Sequence, residues 1–188
     1  MGRAEHMLHQ AARHGAPLRL GYKLEHRWTR LVGRLLRPIL PEFMDRTATV
    51  VGGVIYLPLR RGALPDDLIA RVVAHEWVHR RDMLAFGPLF YLSYALLLPV
   101  GWTARAHWER RAYAVELMLA WEEGGEQRLA ATEAELVTFF AGSSYLWMCP
   151  GRRRAQRCLA PVSQQIRAGT LQETIPYRHI LAAWRGSR

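Results

Sequence analysis

The stretch that decides the fold reads Pro65-Asp66-Asp67-Leu68-Ile69-Ala70-Arg71-Val72-Val73-Ala74-His75-Glu76-Trp77-Val78-His79. Proline followed by two acids is a helix-start signal, because the missing N–H and the negative charges both suit a helix N-terminus. Leu68, Ile69, Val72 and Val73 recur at i, i+1, i+4 and i+5, one buried stripe of helical period. A helix from about Pro65 to about Leu84 is therefore predicted. Within it His75 and His79 stand one above the other on the same face. Glu76 is turned from His75 by about 100° around the axis.

Two imidazoles so placed reach one metal ion without straining the backbone. Glu76 flanks the ion rather than binding it, within reach of a metal-bound water. This H-E-x-x-H layout is that of a zinc hydrolase site. The plain alternative is an amphipathic helix whose two His residues face solvent.

A catalytic zinc keeps three protein ligands, so one more donor is expected downstream. Thr103 can cap a second helix that ends before Gly124-Gly125, with an apolar stripe of Trp108, Ala112, Val115 and Leu119. Glu109, Tyr113 and Glu116 lie beside that stripe. A carboxylate at the margin of a buried face is poorly placed without a partner, and a zinc ion would be one. His107 is also a sound ligand type, on a different face, and Glu116 shares the face of Glu109 two turns later. Glu109, His107 and Glu116 all stand for the third position. The plain reading of such glutamates is a helical salt bridge.

Upstream, Thr47-Ala48-Thr49-Val50-Val51 and Val54-Ile55-Tyr56-Leu57 are β-branched and aromatic runs separated by Gly52-Gly53, the pattern of a hairpin with a primed turn. Elsewhere helical signals dominate. Leu20 to Leu36 reads as an amphipathic helix. Thr132-Glu133-Ala134-Glu135 reads as a capping box opening a helix that ends near Gly142. Helices are expected over Arg152–Arg167, after Pro150-Gly151, and over Pro176–Trp184. The fold class is α+β, mostly helical, with a small β-hairpin or sheet preceding the H-E-x-x-H helix.

H-E-x-x-H on one helix followed by E-x-x-A on a second, here Glu109-Arg110-Arg111-Ala112, resembles the gluzincin metallopeptidases, including the minimal soluble gluzincins and the HtpX-type endopeptidases. The similarity covers roughly Thr47 to Glu123. It implies that His75, His79 and Glu109 hold Zn2+ and that Glu76 is the catalytic base of a zinc-bound water. It also implies a zincin-like metallopeptidase domain over 1–188 with its catalytic core at 47–123. The hairpin suits that plan, in which an edge strand aligns an extended peptide. Two positions depart from the pattern. Tyr113 stands where many relatives have an Asp that braces a zinc-bound His, and Arg80 follows His79 where charge is usually avoided. A donor should stabilise the tetrahedral oxyanion, and Tyr113, Tyr145, His107 and His179 are the candidates.

The remaining sequence bounds the partners. The chain has 188 residues, half of them hydrophobic, enough for a core of its own. No apolar run follows Met1-Gly2-Arg3, so no secretory signal is read. The segment Leu84 to Trp102 is uncharged. Gly87-Pro88 and Pro99-Val100-Gly101 cut it to a short helical run, so a buried or membrane-touching hydrophobic hairpin over 84–102 is expected. The formal charge of +10 comes almost wholly from arginine, Lys23 being the one lysine. No nucleic-acid-binding motif accompanies it, so nucleic acid is not expected as a partner. The expected partners are a peptide or protein substrate and an anionic membrane surface. The expected setting is cytoplasmic, at a membrane or embedded in it through 84–102. Cys149 and Cys158 are too far apart for a C-x-x-C motif and read as free buried thiols. The competing reading of the whole chain is a basic, membrane-associated interaction protein with a non-catalytic metal site.

Overall fold

In the computed structural model, which describes residues 1–37, 44, 45, 48–58, 60, 62–95, 104–142, 149 and 151–187, helices dominate. The order is α1 (Arg3–Arg13), β1 (Arg19–Tyr22), a 3-10 turn (Lys23–Glu25), α2 (Arg27–Leu36), β2 (Thr49–Val51), β3 (Val54–Leu57), α3 (Asp66–Phe86), α4 (Pro88–Ala95), α5 (Ala104–Ala141), α6 (Arg152–Arg167), α7 (Thr170–Glu173) and α8 (Tyr177–Gly186).

The hairpin at Gly52-Gly53 forms as expected. Val51 pairs with Val54, and the two glycines have φ of 58° and 84°, the double positive φ that a type I′ turn requires. The sheet is larger than the hairpin, however. β3 is its central strand, antiparallel to β2 and parallel to β1. The helix expected over Leu20–Leu36 is therefore corrected: its first part is strand, and the helix starts only at Arg27. A Cβ on Gly21 would lie 3.1 Å from Val54 and 3.2 Å from the Tyr56 ring, so glycine lets these two strands approach without displacing either side chain. Four strand residues are too few for their alternation to stand out from a helical pattern.

Ile55 and Leu57 are fully buried and share one core with Val73, Ala74, Trp77 and Val78 of α3, while Val54 and Tyr56 alternate to the half-exposed face. α1 adds Ala4, Met7 and Ala11 to the same core. Its start is tied to the start of α3, where the Asp66 carboxylate accepts the backbone N–H of Arg3 at 2.5 Å and of Ala4 at 3.3 Å. Cys149 and Cys158 are buried free thiols.

α5 is not one rod. Gly124 (φ −150°) and Gly125 (φ 58°, ψ −145°) leave helical geometry, so the first arm ends where the glycine pair predicts. Tyr113 on the first arm and Phe140 on the second have ring centroids 5.5 Å apart. A straight helix would separate them by about 40 Å, so the chain reverses at the glycines. No helix starts at Thr132, which lies inside the second arm. Its neighbour Glu133 ties this arm to α6, accepting the Ser163 hydroxyl at 2.6 Å.

The apolar segment after the H-E-x-x-H helix is described over its first half, residues 96–103 lying outside the described residues. α3 runs to Phe86, Gly87 (φ 53°) stops it, and α4 follows. Phe90 is buried with Met83 and Trp108, while Leu84, Phe86, Leu89, Tyr91 and Leu92 stay exposed. Among the described residues no helix is long and apolar enough to cross a membrane.

Candidate metal centre

The centre is built by two helices. α3 begins at Asp66, after Pro65, as the start signal predicts, and its period puts His75 and His79 on the side opposite Trp77, which is fully buried. The first arm of α5 presents Glu109. His75 Nε2 and His79 Nε2 stand 3.6 and 3.7 Å from Glu109 Oε2. These spacings exceed an N–H···O hydrogen bond. Two ligands bound tetrahedrally at the usual zinc distances lie about 3.4 Å apart, so the gap fits a shared ion. One donor atom from each of the three residues falls within 4.8 Å of the others. Two imidazoles and a carboxylate, nearly all buried, can hold a metal ion.

The electrostatics follow from burial. Desolvation alone would push the Glu109 carboxyl up, but the His75 and His79 imidazoles beside it override burial and hold it well below the usual carboxylate range. Burial pushes the His75 imidazole down, and the Glu109 contact, with the negative charges of Glu76, Glu109 and Glu116, raises it on balance. Burial raises Glu76, against the pull of His79 and His75. Glu76 is 6 % exposed. Its Oε2 finds no hydrogen-bond partner among the described residues, which leaves a buried carboxylate oxygen in the field of His75, His79 and Glu109.

Neither rival for the third position joins the cluster. Glu116 pairs with Arg71 at 3.6 Å. His107 stacks edge-on against Trp108 at 5.0 Å between ring centroids and is not part of the cluster. Of the oxyanion candidates, Tyr113 is at the centre, its ring edge-on to His75 at 4.6 Å and backed by Phe139 and Phe140. His179 is not: it stacks on His14, which in turn faces Trp77 on the far side of α3. Tyr145, like Thr103, lies outside the described residues. Arg80 does not crowd the ligands, because its guanidinium lies over the hairpin turn, where a Cβ on Gly53 would come within 3.2 Å of it.

Sequence reasoning missed a pair that fixes the two helices. Asp82, one turn after His79 and 2 % exposed, accepts two hydrogen bonds from Arg111, two residues after Glu109, at 3.1 and 2.9 Å. The Tyr177 hydroxyl of α8 donates to the Arg111 carbonyl at 2.8 Å, and burial pushes that phenol up to about 12. A bidentate fork is directional as well as strong, so this strut sets the distance and register between the His pair and Glu109. The available signal was the carboxylate at i+3 from His79 on a helix whose inner face is already polar.

Comparison with protein-family models, curated proteins and solved structures finds no match. The site's chemistry must therefore be argued from these residues alone.

Proposed function

We propose that the protein is a zinc-dependent metallopeptidase of the gluzincin kind, with a zincin-like fold, that hydrolyses peptide bonds. The observation that carries this reading is the meeting of His75, His79 and Glu109 from two helices, with the buried Glu76 carboxylate beside them. Nitrogen and oxygen donors in this number suit zinc and leave a position for a reactant. Zinc held by these three residues would supply a Lewis acid and bring the pKa of a bound water toward neutrality.

The chain's own groups do the proton work. Glu76 accepts the proton of the attacking water at a carboxylate oxygen and returns it to the leaving amine nitrogen. Its burial favours that role, since a carboxyl whose pKa is raised is a better acceptor near neutral pH. Tyr113 donates a hydrogen bond to the oxyanion that develops on the scissile carbonyl. β2, an outer strand of the sheet, offers main-chain groups to an extended substrate.

Metal analysis paired with cleavage of an unstructured protein such as casein tests the reading. About one zinc per chain is expected. Glu76→Gln should keep the zinc and lose the cleavage. A chain that takes up no zinc from a zinc-containing buffer would sink it.

A further inference from the structure

α2 turns Trp28, Leu31 and Leu35 outward. Thr29 and Gly33 face the body of the protein. Thr29 is 1 % exposed, and its hydroxyl donates to the carbonyls of Lys23 and, at 2.8 Å, of His26. Gly33 is buried and lies against the Met44 thioether, where a Cβ would collide. Small residues thus seat the helix, and the large ones point to solvent: Leu35 is 70 % exposed, Leu31 57 % and Trp28 40 %. These three recur at helical spacing and form one stripe. Trp28 is held in place by edge-on contact with Tyr56 of β3, at 4.9 Å between centroids.

One flank of the stripe is wholly cationic. Arg27, Arg30 and Arg34, with Arg37 just beyond, are exposed along it, and α2 contains no acid. A nucleic acid would satisfy the guanidinium groups but leave Leu31 and Leu35 in water. A bilayer with anionic headgroups satisfies both, because its acyl boundary takes the stripe and its phosphates take the arginines. A strongly amphipathic helix with arginines on its polar side and Trp with Leu on the other has the character of a helix lying in a membrane interface. We propose that α2 is an interfacial anchor that lays Trp28, Leu31 and Leu35 into the surface of an anionic lipid bilayer. This inference stands apart from the metal centre and survives its failure.

The test is flotation of the full chain with vesicles of phosphatidylcholine alone and of phosphatidylcholine with phosphatidylglycerol, at low and high salt. The wild type should float with the anionic vesicles and be released by salt. The double variant Leu31→Ser/Leu35→Ser should lose at least about tenfold in partitioning, since both apolar side chains leave the interface. Arg30→Gln/Arg34→Gln should lose about 25-fold at low salt, each charge near such a surface being worth about fivefold. Leu89→Ser/Leu92→Ser, on the other exposed apolar face, should partition as the wild type does. Circular dichroism checks that all variants stay folded. Three results would overturn the proposal: no flotation of the wild type, equal flotation of wild type and Leu31→Ser/Leu35→Ser, or self-association of the wild type that this variant abolishes. Retention on nucleic acid that Leu31→Ser/Leu35→Ser leaves intact, without flotation, would assign the arginines to another partner and would equally overturn it.

Discussion

α3 and α2 break the ordinary rule for surface and core in opposite senses. α3 buries His79, Glu76 and Asp82 beside Trp77 and Val78, whereas α2 exposes Trp28, Leu31 and Leu35 and seats itself on Thr29 and Gly33. Polar groups inside a helix bundle are costly unless something compensates them, and large apolar groups outside forgo the burial that stabilises a fold. In α3 the compensation is visible in part: the Asp82–Arg111 fork, and the convergence of two imidazoles on Glu109. In α2, among the described residues, the stripe's one aromatic contact with the body is that of Trp28 with Tyr56, and Leu31 and Leu35 stay exposed. The pair teaches that a helix's departures from the core rule locate its chemistry. Under the readings proposed above, inward polarity belongs to a metal site and outward apolarity to a membrane contact.

The sharpest way to break this comparison is to remove a ligand. His79→Ala and Glu109→Ala should each abolish zinc uptake and hydrolysis, read by metal analysis and peptide cleavage, with the helical signal retained. Next comes Glu76→Gln, expected to lower kcat/KM by about 10²–10⁴-fold at unchanged zinc content. Equal loss of zinc would make Glu76 a ligand or a structural group instead. Arg111→Ala leaves Asp82 buried without its fork and should destabilise the fold by about 2–4 kcal/mol in urea denaturation, toward the lower end because the guanidinium is partly exposed.

A smaller effect is set by pH. Lys23 is fully buried, and burial lowers its pKa to about 8, against the pull of Asp45. The unfolded chain holds this proton up to about 10.5, the ordinary value. Between those two values the unfolded state binds more protons, so wild-type stability rises with pH there. Lys23→Met should lack that rise, so the stability difference between the two shifts steadily in the wild type's favour from pH 8 to 10.5 in parallel urea titrations. Smallest of all is Leu35→Ser on α2. It should change stability by less than about 0.5 kcal/mol, because its side chain gives up almost no burial, and a larger loss would mean that the stripe already has a partner within the fold.

How much of this was legible depended on the length of each signal. The α3 start at Pro65-Asp66 and the His pair are where the pattern puts them, and of the apolar stripe Ile69 and Val73 are buried, Val72 is half-buried and Leu68 at the helix start is exposed. The glycines at 52–53 and 124–125 were legible because each pair demands a backbone that other residues avoid. β1 was not, because its pairing with β3 is made between residues more than thirty positions apart and rests on the close approach at Gly21. α1 offered a readable pattern in Ala4, Met7 and Ala11, yet without aromatic or branched anchors it did not stand out. The choice among Glu109, His107 and Glu116 could not come from spacing. It needed the angle between two helices, which the Asp82–Arg111 fork and the neighbouring Arg71 decide. The capping box at Thr132 misled because the second arm of α5 already runs through it from the kink at Gly125, so no helix end is there to cap.

The reversal of α5 at Gly124-Gly125 has one more consequence. Glu109 and Tyr113 ride on the first arm, and the aromatic backing of Tyr113, Phe139 and Phe140, rides on the second. Glu109 and the aromatic backing of Tyr113 thus sit on the two arms of a single covalent elbow, joined through a φ and ψ at residue 125 that glycine alone adopts without strain. A β-carbon there would strain the elbow and shift the two arms against each other without touching His75, His79 or Glu109.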